Sequence, residues 1–131
     1  MTPLFCLAAT VFFEARDQPP DGQQAVADVV MTRVDSPRWP DTVCAVVYQH
    51  KQFSYTHDGL SDDYRLYTSN PLERQAIVKS EAIAKETLSR TSEDRGLTST
   101  HYHTTKVSPR WSRGYQHDDT IGDHMFFTEV R

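Results

Sequence analysis

Between the pair Pro19-Pro20 and the break at Ser36-Pro37 lies the pattern that most limits how this chain folds. There Ala25, Val26, Val29, Val30 and Val34 recur at three- and four-residue spacing. That period places all five on one face of a helix over residues 21–35, with Asp21 and Gln24 spaced as a capping box. Such a helix is stable only when its apolar face is covered. A cover is at hand upstream, where Leu4, Phe5, Leu7, Ala8, Val11 and Phe12 form a second helical stripe. This first helix ends at Asp17-Gln18-Pro19-Pro20, because consecutive prolines remove backbone donors and fix φ. Two one-sided helices so close in sequence demand a helical core.

The rest of the chain adds to that core and then changes character. Asn70-Pro71-Leu72-Glu73 is a helix start, with an Asn cap and Pro at the first position. It predicts a helix to about residue 90, with Ala76, Ile77, Ser80, Ile83, Ala84 and Leu88 facing inward. A short helical segment is expected over residues 43–48, behind Pro40-Asp41-Thr42. Gln52-Phe53-Ser54-Tyr55-Thr56 reads as extended and Asp58-Gly59 as a tight turn of a β-hairpin. Two short strands are expected at residues 100–104 and 121–130, joined through Pro109-Arg110-Trp111. The sum is an α+β fold, mainly helical with a small antiparallel sheet. At 131 residues the expectation is one domain over 1–131.

A net charge of -4 argues against nucleic acid or an anionic membrane surface as partner, since both reward a basic face. The apolar run at residues 3–13 lacks a preceding basic segment and is far short of the ~20 residues that span a bilayer. Neither a signal peptide nor membrane insertion is read from it. Cys6 and Cys44 sit among apolar neighbours with no CxxC spacing, and are read as two buried thiols; spacing alone does not assign a disulfide.

Chemistry concentrates first at Phe12-Phe13-Glu14-Ala15-Arg16. Glu14 falls in the last turn of the first helix, beside apolar side chains. A carboxyl kept from water has its charged form disfavoured and its pKa raised, the condition for a general acid near neutral pH. The competing readings are an exposed Glu14 or one paired with Arg16. His101, His103, His117 and His124 form a second group; His101 and His103 would share a strand face, but without HExxH or a Cys pair no metal site and no cofactor is assigned. Nucleophilic catalysis by either cysteine ranks last, because apolar surroundings disfavour the thiolate. Gln52, Phe53, Ser54, Tyr55, Tyr102, His103 and Trp111 form the candidate substrate-binding set. Flat rings beside amide and hydroxyl groups suit sugars, which offer C–H patches and a fringe of hydroxyls.

Several ordered motifs together resemble the SleB-type bacterial cell wall hydrolases, which include spore cortex-lytic enzymes and related phage endolysins. They are Phe13-Glu14-Ala15-Arg16, Gly22-Gln23, Ala25-Val26-Ala27, Arg33-Val34, Thr42-Val43-Cys44, Val46-Val47-Tyr48-Gln49, Gln52-Phe53-Ser54, Thr100-His101-Tyr102-His103, Trp111 and Ile121-Gly122 with His124. The resemblance implies a lysozyme-like fold and cleavage of the β-1,4 bond between N-acetylmuramic acid and N-acetylglucosamine in peptidoglycan glycan strands. It makes Glu14, the glutamate of the family's FEAR motif, the catalytic acid. Asp58, Asp62 and Asp63 look solvated and Asp17 follows the motif closely, so no second carboxylate matches Glu14. A single acid suits lytic transglycosylation, with a hydrolytic muramidase or a histidine-metal amidase as alternatives. A monomer is expected. With the substrate outside the cytoplasmic membrane and no export signal read, a phage endolysin made in the host cytoplasm and released to the wall is expected.

Overall fold

A computed structural model describes residues 1–49 and 53–130. Helix α1 (Pro3–Ala15) starts from Thr2, whose hydroxyl accepts from the Phe5 amide at 3.0 Å, with Pro3 in the first turn. The stripe in this helix predicts one apolar face, but every residue from Cys6 to Phe12 is buried. Small Ala9 and Thr10 let neighbours approach on the sides the stripe leaves out, and Thr10 returns its hydroxyl to the Cys6 carbonyl at 3.0 Å. The helix is therefore central, packed by α2 (Pro20–Asp35), α3 (Val43–Val47) and α4 (Pro71–Ser89).

Helix α2 begins at Pro20 behind a Pro19 cap that offers no side chain. The expected capping box is absent, because Asp21 turns its Oδ1 onto the adjacent Gly22 amide at 3.0 Å. Helix α4 starts as predicted, with Asn70 Oδ1 accepting from the Glu73 amide at 2.9 Å. The reading of Cys6 and Cys44 as thiols is corrected: they form a disulfide, Cα–Cα 5.4 Å, that ties α1 to α3. Their closeness arises only from the crossing of those helices, which spacing in sequence does not carry.

Phe53 and Thr56 lie not in an extended segment but about a 3-10 turn, Ser54–His57, closed by the Thr56 amide and hydroxyl on the Phe53 carbonyl at 3.2 and 2.8 Å. Asp58-Gly59 does bend, with Gly59 at φ 80°, yet no strand flanks it among the described residues, so the expected hairpin is absent. Strand β1 (His101–Thr104) is where it is expected. The single strand predicted over 121–130 is instead the second half of a hairpin: β2 (Gln116–Ile121) turns at Gly122, φ 58°, into β3 (His124–Thr128). All pairings are antiparallel in the order β1-β3-β2.

Register decides what each face of this sheet meets. Tyr102 opposes Phe126, so Tyr102, Phe126 and His124 share the inner face. There Phe126 packs with Ala15, Ala25, Val26 and Val29. His101, His103, His117 and Phe127 take the outer face, under a cover of Trp111 and Tyr115. No helix among the described residues is long and apolar enough to cross a membrane.

Candidate active site

The C-terminal end of α1 and the inner edge of the sheet face each other across an open cleft. It consists of two adjoining hollows of about 510 and 530 Å³ that share Glu14, Thr104 and His124. Those three residues form its waist. On one side lie Arg16, Asp17, Gln18, Glu73, Lys106 and Asp123; on the other lie Arg33, Phe53, Ser54, Tyr102, His103 and Val107.

Glu14 reaches the waist because the helix break follows at once. Arg16 caps α1, its Nη1 donating to the Phe12 carbonyl at 3.4 Å, and its Nε meets Glu73 Oε1 at 3.3 Å. The guanidinium is thus held by Glu73, and no hydrogen bond or ion pair joins it to Glu14. The Glu14 partner is Tyr102, whose hydroxyl donates to Oε1 at 2.5 Å from the strand opposite. Burial pushes the Glu14 carboxyl above its usual range, and the Tyr102 bond opposes that shift only in part. Burial and the adjacent Glu14 charge in turn push the Tyr102 phenol up, so it stays a donor.

The turn that carries His124 is docked on the same helix break. Gln18 Oε1 accepts from the Asp123 amide at 2.8 Å, and its Nε2 donates to Asp123 Oδ2 at 3.1 Å. Gly122 passes so close that a Cβ there would lie 2.4 Å from Gln18 Oε1. Three further carboxylates, Asp17, Glu73 and Asp123, therefore line the hollow that also holds Arg16 and Lys106. Glu73 is ion-paired with Arg16, and Asp17 and Asp123 both accept from Gln18. Asp58, Asp62 and Asp63 lie elsewhere: Asp58 closes a bend, Asp62 accepts from Tyr48, and Asp63 pairs with Arg65.

The residues singled out from sequence separate into layers. Phe53, Ser54, Tyr102 and His103 join Glu14 around one hollow. Tyr102 does so as a hydrogen-bond partner of Glu14 beneath the surface, with its ring against His124 and Phe126. Tyr55 is buried below the cleft, stacked on Phe13 and sharing a 2.8 Å hydrogen bond with Thr10. Trp111 lies behind the sheet against His101, His103 and Phe127, and lines neither hollow. Gln52 lies outside the described residues. The four histidines do not converge, since only His124 is on the inner face, and no group of three metal-ligating side chains occurs among the described residues. Sequence reasoning missed Thr104, Lys106, Asp123 and Arg33. The one available signal was the β-turn at Gly122, which brings Asp123 and His124 back toward α1.

A mainly helical body with a three-stranded antiparallel sheet and a half-buried glutamate at the cleft waist is a lysozyme-like architecture. The chain belongs to the cell wall hydrolase family, whose model matches residues 17–127. It is similar to the catalytic domain of the germination-specific lytic transglycosylase SleB from Bacillus anthracis. That superposition has a TM-score of 0.70 at 25% identity and covers 96% of this chain and 93% of that one. The catalytic domain of the Bacillus cereus SleB protein superposes with a TM-score of 0.63 at 24% identity, covering 96% and 90%. Among curated sequences, the spore cortex-lytic enzyme of Oceanobacillus iheyensis is 42% identical over 53 residues, which are 40% of this chain and 19% of that enzyme. That of Bacillus cereus is 40% identical over 73 residues, 55% of this chain and 26% of that enzyme. The match thus spans about a quarter or less of these relatives' length.

Proposed function

We propose that this chain is one catalytic domain that cuts the β-1,4 bond between N-acetylmuramic acid and N-acetylglucosamine in peptidoglycan, as a lytic transglycosylase. Glu14 carries the reading: it is a carboxyl with a raised pKa at the waist of a cleft open on both sides, as an internal bond of a polymer requires. Protonated Glu14 gives its proton to the glycosidic oxygen, and the C1–O bond breaks with its electrons going to that oxygen. The C6 hydroxyl of the muramic residue then bonds to C1 and returns its proton to the Glu14 carboxylate. A 1,6-anhydro ring forms, no water is consumed, and the acid is regenerated. Tyr102 holds the carboxyl throughout.

A hydrolytic muramidase is the second reading, favoured by one observation: Asp17, Glu73 and Asp123 line one of the two hollows that meet at Glu14, where one could activate a water. Each is already held by Arg16 or Gln18, which favours the first reading. Mass spectrometry of digested peptidoglycan separates them. Muropeptides lighter by one water are expected, and ordinary reducing ends would establish hydrolysis instead. Glu14→Gln should lose at least ~100-fold in lytic rate while keeping its fold; a folded variant with substantial activity removes Glu14 from the role. We place the work of this enzyme at the bacterial wall, where a disulfide persists, in keeping with a phage endolysin whose bond closes after release.

A further inference from the structure

Of the two waist groups that the proposed chemistry leaves unused, Thr104 and His124, the second is buried. His124 is 4% exposed, lines both hollows with Glu14 and Thr104, and its Nδ1 is buried without a hydrogen-bond partner. Its ring is fixed edge-on against Tyr102, centroids 5.1 Å apart at 77°, and its backbone is fixed by pairing with Thr104 and Ile121. It is thus aimed by the same tyrosine that holds Glu14. A buried N–H without an acceptor costs more than a bare ring nitrogen, so the proton sits on Nε2, the nitrogen left to reach a cleft-bound ligand. His124 is then a neutral, buried donor at the waist between Glu14 and Thr104, with the cationic donors Arg16, Lys106 and Arg33 out in the hollows on either side.

Resting on the glycan reading above, we infer that His124 reads the N-acetyl group of the sugar at the waist, donating from Nε2 to the acetamido carbonyl oxygen. The match is one of polarity. Sugar hydroxyls can donate to Asp17, Asp123 and Thr104, whereas an amide carbonyl only accepts and needs a donor at the waist itself. A free 2-ammonium group, itself only a donor, has nothing to gain from Nε2–H. Burial also lowers the His124 pKa, against the pull of Asp17 and Asp123, so the ring stays neutral at neutral pH. His124 is therefore a specificity residue for N-acetylated over de-N-acetylated glycan.

The test uses Glu14→Gln as a non-cleaving background, with calorimetric binding of an N-acetylglucosamine hexamer and of a glucosamine hexamer. Adding His124→Phe, which keeps ring packing but removes both nitrogens, should weaken the acetylated hexamer about 10-fold, the worth of one buried hydrogen bond. It should leave glucosamine binding unchanged. Equal weakening of both, or of neither, in a folded double variant overturns the inference. If that variant does not fold, the ¹⁵N resonance of His124 Nε2 in Glu14→Gln decides: it should move on saturation with the acetylated hexamer, and an unmoved resonance overturns the inference while the glycan reading stands. Failure of Glu14→Gln to bind either hexamer removes the glycan reading and this inference with it.

Discussion

Reduction of the Cys6–Cys44 bond should cost this protein a large share of its stability. The two residues are 38 apart in sequence, and closing a loop of that length removes about 4 kcal/mol of unfolded-chain entropy at 25 °C in the chain-entropy model. With 131 residues, an unfolding entropy of ~2.1 cal/mol/K per residue converts that into a fall of roughly 15 °C in Tm. Reduction leaves every side chain in place, so no truncation cost enters the comparison. The measurement is thermal unfolding followed by circular dichroism, with and without dithiothreitol, beside a thiol titration of the denatured unreduced protein. The titration should find no free thiol among the two cysteines. Two free thiols would refute the bond. A bond that is present but whose reduction moves Tm by less than about 3 °C would refute the loop argument, and would mean that α1 and α3 remain in contact in the unfolded chain.

Tyr102→Phe removes the one hydrogen bond that holds the Glu14 pKa down, so Glu14 should stay protonated to higher pH. The alkaline limb of the rate profile then moves up while the maximal rate falls, and an unmoved limb would break the link between the two residues. Gly122→Ala introduces a Cβ 2.4 Å from Gln18 Oε1 at a φ of 58°, and should cost about 1–3 kcal/mol in urea unfolding. A neutral result would mean that the Gln18–Asp123 clasp gives way freely. Glu14→Gln should be more stable than the native chain, with a gap that opens with pH. Because the folded-state pKa of Glu14 is raised, the native protein keeps its full stability below the unfolded carboxyl value, about pH 4, and loses it as pH rises through the folded value. A gap that is constant in pH would mean Glu14 is not desolvated.

Helices α2 and α4 were legible because their apolar residues keep the helical period and their neighbours punctuate it, with Asn70 at one start and Pro19-Pro20 at the other. The central position of α1 was not, since Ala9 and Thr10 carry no hydrophobic signal strong enough to mark a second and third buried side. Strand β2 was invisible for a related reason: Gln116, His117, Asp118, Asp119 and Thr120 read as a polar loop, and become a strand only because β3 supplies the pairing. In the site, Glu14 could be named from its own neighbourhood. What the sequence does not carry is its partner: Tyr102, whose hydroxyl holds the carboxyl, is 88 residues away, and the turn that carries His124 is clasped by Gln18 across 105 residues. Tyr55 and Trp111 show the limit most plainly: an aromatic in a sugar-binding composition is as well suited to support the cleft from beneath or behind as to line it.

The cleft waist is where this fold departs from what stability alone would select. Glu14 is a half-buried carboxyl with a hydroxyl as its hydrogen-bond partner instead of a cation, although Arg16 lies two residues along the same chain. Turning Arg16 onto Glu14 would favour the charged form and lower the pKa, which stabilises the fold but removes the proton that the acid proposed above has to give. Glu73 prevents this by engaging Arg16 from α4, so the ion pair serves the site by keeping a cation occupied. His124 follows the same logic, with a buried nitrogen left unpaired at the same waist. Unfavourable groups gathered where Tyr102 touches both are better explained by a ligand that repays them than by packing, and that ligand must offer an oxygen to protonate and an acceptor for a neutral donor. An N-acetylated glycosidic linkage offers both.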